Sequence, residues 1–146
     1  MNFNKSTRYA LYAALEMAQA GETDPVTVAQ VAQRYRIPET ALAKVFQRLV
    51  RSGLASGTRG VGGGYRLAKP PSTLTVLDVV GVFEAPRPAG LCLAQDLPGQ
   101  PCADYTPCRL RKLFDEVDEM ARSTFASVTL DTLVGKRPVV PGLKAI

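Results

Sequence analysis

The chain has 146 residues, 46% of them hydrophobic and 21% charged, with 18 Lys and Arg against 13 Asp and Glu. Those proportions fit one globular domain with an appendage and exclude wholesale disorder. There is no histidine, which removes His-based acid–base catalysis, Ser-His-Asp triads and His metal ligands, so an enzyme is not expected.

The charge is unevenly placed. Residues 1–70 carry ten Lys/Arg and four Asp/Glu, while residues 71–146 carry eight and nine. The basic excess therefore lies in the front half, as expected if that half meets a polyanion. No run of 18 apolar residues exists, and Met1–Lys5 leads into an amphipathic pattern with Glu16 rather than a secretory core. The expectation is a cytoplasmic protein with no membrane span.

Residues 6–20 read as a helix that Ser6 can cap and Gly21 can end. Its middle, Tyr9-Ala10-Leu11-Tyr12-Ala13-Ala14-Leu15, is apolar on nearly every side and asks for cover from a second subunit. Thr27 to Tyr35 is a shorter helix, with Thr27 and Gln30 as a capping box. After a turn at Arg36-Ile37, Pro38 takes the first position of a third helix running to about Ser52, with Gly53 as its stop. Leu42, Val45, Phe46 and Leu49 give that helix one apolar face, so Glu39, Thr40, Ala43, Lys44 and Gln47 point outward. A helix pair with a polar, mildly basic outer face on the second member is a helix-turn-helix pattern suited to the DNA major groove.

Leu54–Gly57 and Tyr65–Ala68 read as two short strands around the glycine-rich tip at 58–64, a hairpin wing bracketed by Arg59 and Arg66. The tip lacks a Gly-Lys-Ser/Thr ending and does not open a helix, so it is not a phosphate loop. Thr75 opens a short helix to about Glu84. A Pro/Gly-rich stretch at 85–107 follows. Thr106 and Pro107 then start a long helix from about Cys108 to Ser127, with Leu130–Val134 as a further turn and a loose tail at 136–146. Leu110, Leu113, Phe114, Val117, Met120, Ala121, Phe125 and Val128 make one apolar stripe on the long helix, with charges filling the rest. That pattern fits an antiparallel two-chain contact better than the core of a single small domain. The expected fold class is therefore mainly α with a small β-hairpin wing. Residues 1–84 form a winged helix-turn-helix domain, 85–107 a cysteine-containing loop and 108–135 a dimerisation region.

Cys92, Cys102 and Cys108 are separated by nine and five residues. Three accessible thiols from one loop suit an iron–sulfur cluster, zinc or a redox switch, although the spacing matches none of the C-x-x-C zinc patterns. Cys108 falls in the first turn of the long helix, whose positive end favours thiolate.

Four segments together resemble the Rrf-type (IscR/NsrR-like) winged-helix transcription regulators. They are Arg8-Tyr9-Ala10-Leu11, the run Phe46-Gln47-Arg48-Leu49 with Gly53-Leu54, the wing Arg59-Gly60-Val61-Gly62-Gly63-Gly64-Tyr65-Arg66-Leu67, and the three-cysteine loop. The resemblance covers residues 1 to about 135. It implies a homodimeric DNA-binding repressor or activator. In cluster-bearing members three cysteines of this loop ligate an iron–sulfur cluster whose state controls DNA affinity, which carries over to Cys92, Cys102 and Cys108.

Two features depart from the family pattern. The gap between the first two cysteines is longer than in many relatives. Arg111 stands where some members place a histidine ligand, and Arg8 and Tyr12 stand where others place an acidic one. The fourth ligand stays open among Asp104, a partner-chain carboxylate, a water and a small thiol, and the cluster type between 2Fe-2S and 4Fe-4S.

On this reading Thr40, Ala43, Lys44 and Gln47 read major-groove edges and Arg59 enters the adjacent minor groove. Lys5, Ser6, Arg8, Arg48 and Arg51 contact phosphates. The partners are double-stranded DNA with a palindromic site and a second copy of the chain. Two other classes stand beside it: a cluster-free regulator whose cysteines sense oxidants by forming a disulfide, and a non-DNA-binding adaptor.

Overall fold

A computed structural model of the protein describes residues 3–85 and 108–135. Its elements run α1 (Lys5–Ala20), α2 (Val28–Tyr35), α3 (Glu39–Arg51), β1 (Ala55–Thr58), β2 (Gly64–Leu67), a 3₁₀ turn at Pro71–Thr73, α4 (Val76–Phe83), α5 (Arg109–Ser127) and α6 (Leu130–Val134). The fold is helical with one two-stranded antiparallel hairpin, as the sequence pattern predicts.

The start of α1 corrects one expectation. Asn4, not Ser6, is the cap: its backbone is extended and its side-chain oxygen accepts from the Thr7 amide at 2.9 Å. A cap must sit outside the helix to reach the orphan amides. Ser6 lies inside the first turn, so its hydroxyl is not needed there. Gly21, at φ 75°, ends the helix. The Thr27–Gln30 capping box forms as predicted, with Thr27 N donating to Gln30 Oε1 at 2.8 Å and Gln30 N to Thr27 Oγ1 at 3.2 Å. Pro38 stands one position earlier than expected, as the cap of α3, because its carbonyl already accepts from Ala41 and Leu42.

The core forms where α1 meets its neighbours. Ala10, Ala13, Ala14 and Met17 face Leu42, Val45, Phe46 and Leu49 of α3, all buried. Among the described residues, α1 is covered by α2, α3, α4, α6 and β2 of the same chain. Tyr12, 43% exposed, is the exception. It stacks on Tyr35 at 4.4 Å between centroids. The Tyr35 hydroxyl donates to Glu16 at 2.6 Å, and Glu16 also accepts from Arg34 at 3.1 Å. Burial, then the Glu16 carboxylate, pushes the Tyr35 phenol up to about 12. This cluster locks α2 onto α1.

In the hairpin, Ala55 pairs with Leu67 and Thr58 with Gly64. An isolated bridge adds to it, with Val26 and Tyr65 exchanging backbone hydrogen bonds at 2.9 and 2.8 Å. Gly64 permits that approach, since a Cβ there would meet the Val26 carbonyl oxygen at 2.9 Å.

Beyond α5 the chain returns to the winged domain. Val76 N donates to Val128 O at 2.9 Å, and Leu130 N to Leu74 O at 2.8 Å. Leu130 is fully buried against the core, and α6 packs on α1. By contrast, α5 has no buried residue. Leu110, Leu113, Phe114, Val117 and Met120 stand 42–63% exposed along it. At 19 residues it extends about 28 Å. Among the described residues no helix is long and apolar enough to cross a membrane.

Candidate nucleic-acid interface

The buried face of α3 fixes the direction of its other face. With Leu42, Val45, Phe46 and Leu49 in the core, Thr40, Lys44 and Gln47 are exposed and Ala43 is half-buried. These four are the predicted base-reading positions. Thr40, Lys44 and Arg48 also line a groove of about 490 Å³ with Lys5, Ser6 and Tyr9 of α1, Ala41 and Val45 of α3, and Phe83 at the end of α4. The structure therefore brings Lys5, Ser6, Thr40, Lys44 and Arg48 to one edge. Arg8 is exposed on α1 but does not line this groove. Arg51 is exposed at the last turn of α3.

The Arg48 guanidinium lies 4.8 Å above the Phe83 ring, a cation–π contact worth about 0.5–1 kcal/mol at an exposed site. It also restricts a side chain that would otherwise sample many rotamers.

The wing tip is a tight turn. Gly60 and Gly62 have φ of 103° and 78°, and Gly63 N donates to Gly60 O at 2.9 Å. A side chain at Gly63 would collide with the Thr58 carbonyl oxygen. Arg59 is exposed on this slim tip. Arg66 behaves differently: its Nη2 donates to the Thr23 carbonyl at 2.9 Å, so it ties the wing to the domain instead of adding charge at the tip.

Sequence reasoning missed the joint behind the groove. Glu84 Oε1 accepts from the Asn4 amide at 2.9 Å and the Thr7 hydroxyl at 2.5 Å, while Asn4 Nδ2 donates to the Phe83 carbonyl at 3.0 Å. The hydrogen bond from Thr7, then that from Asn4, holds the Glu84 carboxyl below the usual carboxylate range. Nothing local in the sequence points to it, because the partners lie almost 80 residues apart.

Of the three cysteines, Cys92 and Cys102 lie outside the described residues, as do Thr106, Pro107 and Asp104. Cys108 is an exposed free thiol. It is the N-cap of α5, one position before the first turn where it was expected, and its side chain makes no capping bond. Its sulfur is thus left available. Among the described residues no group of three or more Cys, Asp or Glu side chains assembles around a metal position.

Known proteins place the whole arrangement. Residues 3–136 match the Rrf2 family model, described as an iron-dependent transcriptional regulator. BadM of Rhodopseudomonas palustris, named as an HTH-type transcriptional regulator, is 38% identical over 135 residues, covering 92% of this chain and 81% of BadM. The HTH-type transcriptional regulator IscR of Klebsiella pneumoniae is 30% identical over 140 residues, covering 96% of this chain and 83% of IscR. Among solved structures, CymR, the global cysteine regulator of B. subtilis, superposes with a TM-score of 0.76 at 25% identity, covering 94% of this chain and 99% of CymR. These relatives are transcription regulators, not enzymes. Together with the winged helix-turn-helix and its basic edge, the match shows that the chain belongs to the Rrf2 family of DNA-binding transcription regulators.

Proposed function

We propose that this regulator acts as a homodimer joined along α5, and that an iron–sulfur cluster held by Cys92, Cys102 and Cys108 sets its affinity for a palindromic operator. One observation carries the reading: Cys108 caps the helix on which Leu110, Leu113, Phe114, Val117 and Met120 stand exposed among the described residues. Covering that stripe with a second copy gives a self-complementary interface and two α3 helices related by a two-fold axis, which matches an inverted-repeat site. Thr40, Ala43, Lys44 and Gln47 would read base edges. Lys5, Ser6, Arg8, Arg48 and Arg51 would hold phosphates, and Arg59 would enter the minor groove.

The donor set fits the group. Three thiolates are the soft ligands that iron–sulfur chemistry uses, and Cys108, the cysteine among the described residues, is exposed and free. A bound cluster would supply an oxygen- and redox-sensitive group at the base of α5. The chain's part is mechanical. Residues 85–107 run from the winged domain at 1–84 to the dimerisation region at 108–135, so a bond between the loop cysteines and Cys108 ties the reading head to α5. Only a difference between the free and DNA-bound arrangements of the two heads can change affinity.

Protein purified without oxygen is expected to be coloured and to retard a duplex selected from a random pool. Its affinity should change when iron is removed by a chelator. An affinity that does not change on iron removal would contradict the sensor. The exposed Cys108 thiol favours one rival, a cluster-free disulfide switch. It would appear as a Cys–Cys link by mass spectrometry of oxidised protein without metal.

A further inference from the structure

The end of α4 touches both elements that carry the basic edge. On one side Phe83 lies under Arg48 of α3 at 4.8 Å. On the other, Phe83 and Glu84 hold Asn4 through its side chain and its amide, at 3.0 and 2.9 Å. Glu84 Oε1 also accepts from the Thr7 hydroxyl at 2.5 Å. Thr7 is fully buried, so this bond satisfies a hydroxyl that would otherwise be costly to bury. Lys5 and Ser6 lie between the two clamped residues and line the groove with Arg48 and Phe83.

We propose that Phe83 and Glu84 are positioning residues for DNA binding, holding Lys5, Ser6 and Arg48 as one preset cationic edge. The proposal rests on the reading that these three face phosphates. Lysine and arginine lose much rotamer freedom when they engage a phosphate. A clamp that restrains the backbone between Asn4 and Thr7, and a ring that parks the Arg48 guanidinium, meet part of that loss before DNA arrives. Neither residue needs to touch DNA.

The test uses the full chain and the duplex that wild-type protein selects from a random pool. Glu84→Ala is expected to bind about tenfold more weakly, because the released turn at Asn4–Thr7 must be ordered when Lys5 and Ser6 engage phosphate. Glu84→Gln, whose amide oxygen still accepts from Asn4 and Thr7, should restore affinity to within about threefold. Phe83→Leu keeps an apolar side chain over the core but removes the ring face. Its log affinity against log salt should flatten by about one phosphate contact per protomer. A merely structural role would lower the unfolding temperature without changing that slope. If both variants bind with wild-type affinity and slope, the positioning role is wrong although the DNA interface stands. If Glu84→Ala fails to fold, Phe83→Leu decides by its salt slope: an unchanged slope overturns the positioning role. If wild-type protein selects no duplex, the phosphate reading and the proposal fall together.

Discussion

Phe46 and Tyr65 stack at 4.5 Å between ring centroids, so the centre of α3 bears directly on the base of the wing. Phe46 is fully buried and Tyr65 carries the rung to Val26. This aromatic pair thereby helps seat the hairpin on α3, the helix proposed to enter the major groove. Phe46→Ala should cost about 3–5 kcal/mol of stability, the range for emptying a buried aromatic site. Urea unfolding measures it, and a loss below about 1 kcal/mol would mean the site is less packed than described.

The apolar stripe of α5 predicts self-association. Leu113→Asp or Phe114→Asp places a charge in the proposed seam. Each buried Leu or Phe contributes about 1.5–3 kcal/mol, and each change occurs in both protomers, so either should weaken dimerisation by roughly 100-fold or more. Sedimentation velocity should show a dimer for wild-type protein and a shift to monomer for the variants. The helical circular dichroism of the winged domain should persist, because these side chains are exposed within the chain.

Much of this molecule is legible in its sequence for physical reasons. The capping box at Thr27, the helix start at Thr75 and the four-residue apolar face of α3 are local signals, and all appear in the structure. The wing is legible because its glycines permit a turn that other residues cannot make. What fails is non-local. The all-round apolar character of α1 signals that it needs cover, but periodicity cannot say by what, and within the chain that cover is α2, α3, α4, α6 and β2. The Val26 rung and the Glu84 joint likewise depend on partners far along the chain. Cys108 differs by a single position, standing as the N-cap residue of α5 and not inside its first turn.

Base readers and phosphate holders should separate by their signatures. Arg59→Ala at the wing tip should lower affinity and flatten the salt dependence by about one contact per wing. Lys44→Ala or Gln47→Ala should instead cost about 1–3 kcal/mol on the selected site while relaxing preference at one base position. Wild-type affinity itself should fall by about 1,000-fold between about 50 and 200 mM salt if some six phosphates are contacted per dimer. A flat salt response would contradict the interface.

Glu84 predicts a pH effect on stability. Its folded pKa is depressed by the hydrogen bonds from Thr7 and Asn4. The stabilisation is therefore complete above the unfolded carboxylate value of about 4.3 and is lost as pH falls through the lower folded value. The unfolding temperature of wild-type protein should exceed that of Glu84→Gln near neutral pH, and the gap should close on acidification below about pH 4.3. A gap that widens in acid would reverse the sign and contradict the charge-assisted bond.

The most direct measurement of the sensor is iron and acid-labile sulfide in protein purified without oxygen, with its visible spectrum. A coloured protein with iron and sulfide in matching amounts is expected. The colour should be lost in Cys92→Ala, Cys102→Ala and Cys108→Ala while each variant stays folded. A colourless wild-type protein that takes up neither element on anaerobic reconstitution would contradict the cluster.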